Sequence, residues 1–417
     1  MLEVLIALFS IYTALKVYIS VMQLGFIISK RDKEPVLMGM DEYRAAANYS
    51  IEKEKISLFS HFLEYLLFLW WVIFGFGFLY EISSDIFDTS FKQSLLFMVG
   101  YFAIDYILTL PMSIYQTFVV DKKYGFTQTT PKIFLIDQIK NISLFLTLGL
   151  GIISLLVWIV NSFELWWFYA FIFVIILVLL INFIYPTIIA PIFNKFSPLA
   201  DQELRIKIEA LMERSGMKAN GIFVMDASKR DSRLNAYFGG LGKSKRVVLF
   251  DTLLEKLNHN ELLAVLGHEL GHFKHGDIWK NIILMTILMF IIFFMLGNLP
   301  ENIFSQMHTA PIAGVKLTFM LMVLPLVTFV WMPIISFFSR KHEYKADEYG
   351  SSMSSKDNLS SALLKLVKEN KSFPRSHPIY IFFYYSHPPI LERLKALGYN
   401  ENEENNDIFK ITDFIKQ

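Results

Sequence analysis

The chain has 417 residues, 54% of them hydrophobic and 18% charged, with a net charge of +1 and no cysteine. That apolar fraction, with a mean hydropathy of +0.43, exceeds what a soluble chain of this length carries and points to a membrane protein. The missing cysteines exclude disulfides, thiolate metal ligands and a thiol nucleophile, so any metal site must draw on His, Asp and Glu; near-neutral charge, without a basic tail or aromatic-basic stripe, excludes nucleic acid as an expected partner.

A hydrocarbon core of ~30 Å needs roughly 20 apolar residues per helix, and seven segments meet or approach this: 2–29, 58–80, 93–117, 142–160, 166–188, 278–299 and 315–338. The first has Glu3 where a secretion signal has a basic start, is too long for a signal's apolar region and lacks a small-residue cleavage site, so it reads as a retained helix. Tyr80, Trp166, Trp167, Tyr185 and Trp279 sit near span ends, where aromatic anchors belong. The connection after the first span carries Lys30, Arg31, Lys33, Arg44, Lys53 and Lys55, and the one after the third Lys122, Lys123 and Lys132; the alternate loops are poor in Lys and Arg. The positive-inside rule then puts the N-terminus outside and the C-terminus and large polar segments inside. Lys16, Glu64 and Asp105 fall within apolar spans, where such residues pair with one another or line a wet chamber.

Two polar regions remain. In 191–277, residues 201–215 have helical spacing and end at Gly216, a plausible helix-terminating glycine. Two short β-like runs cover 222–225 and 246–250, and between them lies a polar, glycine-rich stretch with Asn235-Ala236-Tyr237 at its middle. The second region, 339–417, is helical in pattern and ends in a polar tail from Asn400 expected to be loosely ordered. The expected organisation is five spans in 1–190, an insert in 191–277, two spans in 278–338 and a C-terminal part in 339–417. The expected fold is an all-α membrane protein of seven transmembrane helices, with a mostly helical cytoplasmic part holding a small β-sheet.

The chemistry concentrates in the insert. Asn258-His259-Asn260-Glu261 has the pattern of a capping box. The helix it opens carries His268 and His272 four residues apart, so both imidazoles leave one face and can share one zinc ion. Glu269 is placed to take a proton from a zinc-activated water, whose pKa falls to ~7. Gly267 and Gly271 allow another backbone to come close. Three protein ligands are needed, with a fourth position open. The residue six after His272 is Ile278, which excludes the long metzincin signature. His275 shares the helix face but stands close to its neighbours; a better source is the segment from Ser339 to Glu348, where Glu343 and Asp347 lie four apart. One can ligate while the other holds a ligand imidazole, and spacing alone does not choose between them. His387, ahead of Pro388 and Pro389, is rigidly presented and suited either to donate to an oxyanion or simply to form a turn.

His268-Glu269-Leu270-Gly271-His272, Arg340 through Glu343-Tyr344-Lys345-Ala346-Asp347, and Ser386-His387-Pro388-Pro389 with Glu392-Arg393-Leu394 together resemble the type I CaaX prenyl proteases, integral-membrane zinc metalloproteases. Similar stretches are Tyr124-Gly125-Phe126 with Thr130-Pro131-Lys132, Ser228-Lys229-Arg230 with Asn235-Ala236-Tyr237, and residues 245–254. The resemblance covers most of the chain. It implies a gluzincin-like zinc site with one ion per chain, Glu343 as third ligand, Asp347 behind a ligand, His387 on the oxyanion side and Arg393 as a supporting cation. It also implies that Asn235, Ala236 and Tyr237 lie on an edge strand pairing with an extended peptide, and that seven helices surround a water-filled chamber, with zinc near the cytosolic face. Eukaryotic members carry further small polar residues before the Asn-Ala-Tyr segment, where this chain has Arg233-Leu234, so substrate preference stays open. The Phe-, Ile- and Lys-rich composition and the missing di-lysine ending point to a bacterial inner membrane; the endoplasmic reticulum is the eukaryotic counterpart.

The reading is therefore a membrane zinc endopeptidase of CaaX type, acting on a peptide or protein tail, lipidated or not, in contact with membrane lipid. The alternatives are a broad-specificity quality-control metalloprotease and, from another class, a transporter or scaffold with structural zinc.

Overall fold

The computed structural model describes residues 1–218, 220–240 and 245–399; the tail from Asn400 lies outside them. Among the described residues, seven helices are long and apolar enough to cross a bilayer: α1 (Leu2–Lys30), α2 (Met40–Ile86), α3 (Ser90–Asp121), α4 (Pro131–Ser162), α5 (Trp166–Phe193), α9 (Asp277–Gly297) and α11 (Ala313–Met353). They contain the seven segments read from hydropathy, apart from the last residues of the sixth, and several run further. Polar turns at the ends continue the helical hydrogen bonding while leaving no apolar signal. Four of these helices include one stretch of wider π-helix, at Trp71–Gly75, Gln116–Asp121, Phe145–Gly149 and Tyr185–Ile189.

The chain forms two compact units, neither continuous in sequence. The first comprises Met1–Ser20, Ile56–Phe193 and Asn281–Met332. Within it, Phe9 stacks on Phe68 with ring centres 3.7 Å apart. Gly314 lies so close to the Ser94 backbone that an added Cβ would stand 2.5 Å from a carbonyl oxygen. The ionisable residues in the spans include one pair, and two of them face a cavity. Lys16 Nζ meets Glu64 Oε2 at 2.7 Å, while Glu64 and Asp105 line a cavity of about 480 Å³ walled by Tyr12, Trp71 and Tyr101.

The second unit comprises Val21–Lys55, Asn194–Lys280 and the residues from Pro333 onward. Its sheet has the order β1-β2-β4-β3, with β1 (Phe196–Pro198), β2 (Ile222–Met225), β3 (Ala236–Gly239) and β4 (Arg246–Phe250). β2 and β4 are parallel, and β1 and β3 flank them antiparallel. The two central strands coincide with the runs read from the sequence; β1 is three residues long, includes a proline and gives no alternation to detect. Helix α6 (Gln202–Arg214) is capped by Asp201, which accepts from Leu204 N–H, and buries Leu204, Ile208, Leu211 and Met212. It ends before Gly216, at φ +68°. Within the connection read between the first two spans, residues 40–55 are instead helical, and Tyr43, Ala46, Ala47 and Ile51 pack against Val367 and Phe373.

Against the sheet lies α8 (His259–Lys274), following α7 (Asp251–Lys256). Leu266 and Leu270 on α8 are fully buried in the same core as Val247 and Leu249, each worth roughly 1.5–3 kcal/mol. The opposite side of α8 meets α11 backbone to backbone. A Cβ on Gly271 would stand 2.8 Å from Ala346 Cα, one on Gly350 2.7 Å from His268 N, and one on Gly267 3.1 Å from Gly350 Cα. No side chain fits these positions without moving a helix. The chain continues through α10 (Asn302–Gln306), α12 (Lys356–Glu369), α13 (Pro378–Tyr384) and α14 (Ile390–Ala396).

Gly271→Ala and Gly350→Ala are each expected to cost roughly 1–3 kcal/mol, the usual penalty of overpacking, and to lower bound metal by displacing Glu343 from the histidines. Thermal unfolding and metal content of purified protein check this. Wild-type values for both variants would show that the helices have room to spare.

Candidate metal centre and active site

The capping box forms: Asn258 Oδ1 accepts from Glu261 N–H at 3.0 Å, and Glu261 Oε2 from Asn258 N–H at 2.9 Å. Glu261 also accepts from Ser361 Oγ at 2.6 Å and Lys365 Nζ at 2.7 Å, tying the start of α8 to α12. The helix closes at His275 and Gly276, φ +68°.

Between these ends, His268, His272 and Glu343 bring one ligand atom each within 4.8 Å of one another. His268 Nε2 lies 3.5 Å from Glu343 Oε2, and His272 Nε2 3.2 Å from Glu343 Oε1. Tetrahedral ligands ~2.1 Å from a zinc ion stand about 3.4 Å apart, so the set has the right span. Each imidazole turns its other nitrogen to a carboxylate: His268 Nδ1–H donates to Asp347 Oδ1 at 2.8 Å, and His272 Nδ1–H to Asp277 Oδ2 at 3.1 Å. This tautomer leaves both Nε2 lone pairs facing Glu343, ready for a metal.

The electrostatics fit a divalent cation. Glu269, Glu343 and Asp347 face one guanidinium, Arg393, leaving two negative charges uncompensated while the imidazoles are neutral. Glu343 Oε2 is buried and receives no hydrogen bond. Burial pushes the Glu269 carboxyl above its usual range, with His268 and His272 working against it. Burial also opposes charge on His272, yet the bonds to Glu343 and Asp277 win and raise it to about 9. The facing carboxylates make this a place where positive charge is favoured.

Arg393 is buried and grips Asp347 with two bonds, Nε to Oδ2 at 2.7 Å and Nη2 to Oδ1 at 2.6 Å. Its Nη1 stands 3.3 Å from Glu343 Oε2. His387 Nε2 lies 3.3 Å from Glu343 Oε1, with the side chain 61% exposed, and Nδ1 bonds to Ser386 Oγ at 2.9 Å. His275 is outside the cluster, its ring 6.1 Å from that of Tyr349.

Asn235, Ala236 and Tyr237 lie at the sheet margin, with Ala236 and Tyr237 on the edge strand β3. Asn235 C=O accepts from Phe250 N–H, so strand alternation turns the Ala236 N–H away from β4. There the Asn235 side chain accepts from it at 2.8 Å.

Asp277 escaped the sequence reading. It lies five residues past His272, beyond the turn at Gly276, and is held in place by Lys280 at 2.9 Å. The available signal was a lone carboxylate directly after the motif helix, at the start of an apolar span.

This arrangement defines a membrane metallopeptidase, and comparison with known proteins narrows it. Residues 198–401 match the family model described as Peptidase family M48, and residues 36–195 the one described as CAAX prenyl protease N-terminal, five membrane helices. The CAAX prenyl protease 1 of Saccharomyces cerevisiae is 34% identical over 402 residues, covering 88% of each chain. The human CAAX prenyl protease 1 homolog is 33% identical over 371 residues, covering 78% of this chain and 75% of that one. The crystal structure of S. mikatae Ste24p superimposes with a TM-score of 0.88 at 31% identity, covering 94% of this chain and 98% of that one. The chain belongs to the CAAX prenyl protease family of M48 metallopeptidases.

Asp277→Asn and Asp347→Asn, each removing the charge behind one ligand imidazole, should weaken metal affinity about 10–100-fold. Competition with a chelating dye measures it. His275→Ala should leave affinity unchanged, and a loss equal to that of the other two would bring His275 into the ligand set.

Proposed function

We propose that this protein is a zinc endopeptidase that cuts peptide substrates directly after a prenylated cysteine near their C-terminus. The observation that carries the proposal is the open three-ligand set, His268, His272 and Glu343, with Glu269 beside it. A structural zinc site, as in a transporter or scaffold, would be closed by a fourth protein ligand; the group found among the described residues has three. The relatives' names support the CaaX substrate.

Bound zinc would supply an acidified water and a Lewis acid for the scissile carbonyl. The remaining work falls to the chain. Glu269 takes the proton of the attacking water and passes it to the leaving amine. His387 donates Nε2–H to the oxygen that gains charge in the transition state. Asp347 and Asp277 fix the ligand tautomers, and Arg393 holds Asp347 while neutralising charge beside Glu343. The substrate backbone pairs with β3 at Ala236, displacing the Asn235 side chain from the Ala236 N–H. This mode reads backbone more than side chains, which suits short tails of varied sequence.

In the same reading, residues 1–190 supply five spans, 278–338 two more, and 191–277 and 339–417 the catalytic parts, facing the cytoplasm. Loop charge supports that orientation, and the composition supports a bacterial inner membrane.

Three results are expected. Glu269→Gln should retain metal and lose at least 100-fold in turnover, since general base catalysis contributes about 10²–10⁴-fold. In a peptide series ending in Cys-a-a-X, with and without farnesyl, cleavage should fall after the modified cysteine with a large gain from the lipid. Scattered cuts without that gain would indicate broad quality control instead. Single cysteines replacing Lys53 or Lys122 should label from the cytoplasmic side and one replacing Asp85 from outside; the reverse pattern would invert the orientation.

A further inference from the structure

One face of α11 carries Ser336, Arg340, Glu343 and Asp347, at intervals of four, three and four residues, so they form a single stripe. The lower two belong to the metal centre. The upper two hold the segment that leads to His387. Arg340 Nη1 donates to Ile381 C=O at 2.9 Å and to Tyr385 C=O at 2.8 Å, and Ser336 Oγ donates to Phe383 C=O at 3.1 Å.

These carbonyls matter because of where they lie. Helix α13 ends at Tyr384; its Ile381 C=O still accepts from Tyr385 N–H at 3.3 Å, while Phe383 C=O lies in the last turn, where carbonyls lack a partner within the helix. A guanidinium at that end gives Ile381 C=O a second donor, bonds Tyr385 C=O just past the helix, and complements the negative end of the helix dipole. Tyr385 is two residues before His387, and Pro388 and Pro389 fix the backbone after it. On the far side, α14 is anchored through Arg393 to Asp347 and Glu343. The His387 segment is thus strung between two arginine anchors to α11, Arg340 reaching out from α11 on one side and Arg393 reaching in from α14 on the other.

We propose that Arg340 is a positioning residue: by holding the Ile381 and Tyr385 carbonyls it sets His387 Nε2 at its distance from the reacting carbonyl. Arg340 touches neither substrate nor metal and works through His387. The inference rests on the role of His387 proposed above.

A double-mutant cycle separates the two. Arg340→Gln should lower kcat roughly 10–100-fold, the range for groups that orient an active residue, with KM, bound zinc and thermal midpoint near wild type. Arg340→Lys, which keeps the charge and can still donate to a carbonyl, should recover part of the loss. In a His387→Ala background, Arg340→Gln should change kcat less than about two-fold. Loss of bound zinc with Arg340→Gln, or multiplicative losses in the double variant, would overturn the inference while leaving His387 as the donor. Full activity of His387→Ala alone would overturn the role of His387 and the inference with it. If Arg340→Gln does not fold, Arg340→Lys enters the same cycle with the same criteria.

Discussion

Two imidazoles on one helix and a carboxylate on another come together here where the helix backbones approach unusually closely. Ordinary helix pairs keep their axes 8–10 Å apart, with side chains between them. Here α8 and α11 make a closer contact. Gly267 and Gly271 on α8 and Gly350 on α11 provide it, with backbone facing backbone at all three. Everything else in the centre is built on this crossing. It aligns Glu343 with both histidines and sets Asp347 one turn further along, where His268 Nδ1 finds it.

The crossing concentrates negative charge, and the rest of the site answers that cost. Breaking one partner of a buried ion pair typically costs about 3–5 kcal/mol, so Arg393, buried and doubly bonded to Asp347, is integral to the fold around the centre. The metal would balance what Arg393 leaves. α11 therefore serves several ends at once: it supplies Glu343, orients His268 through Asp347, and anchors the segment bearing His387 through Arg340 and Arg393. A long rigid helix makes these distances mutually dependent.

Much of this was legible in the sequence, because the signals are local. The motif helix announced itself through an Asn-Glu capping box and two histidines one turn apart, and the seven spans through continuous apolar runs. The β2 and β4 runs and the glycine closing α6 were equally direct. What escaped depends on partners distant in the chain. Glu343 and Asp347 have the same spacing logic, and only the crossing with α8 shows which one faces the Nε2 atoms. Asp277 gave no pattern because its meaning comes from the turn at Gly276, which swings it back to His272. The helix beginning at Met40 was hidden by its polar surface, its buried Tyr43 being explained by Phe373, more than three hundred residues away. Strand β3 carried too little alternation to be seen alone and was expected only through family resemblance.

The claim that zinc is held by two imidazoles from α8 and one carboxylate from α11 is best tested by X-ray absorption at the zinc edge on purified protein. Two nitrogen ligands and a carboxylate oxygen at ~2.0–2.2 Å are predicted, with one further light-atom position, and Glu343→Gln should lose the carboxylate component. A shell of three imidazoles, or one closed by four protein ligands and unchanged by Glu343→Gln, would contradict it.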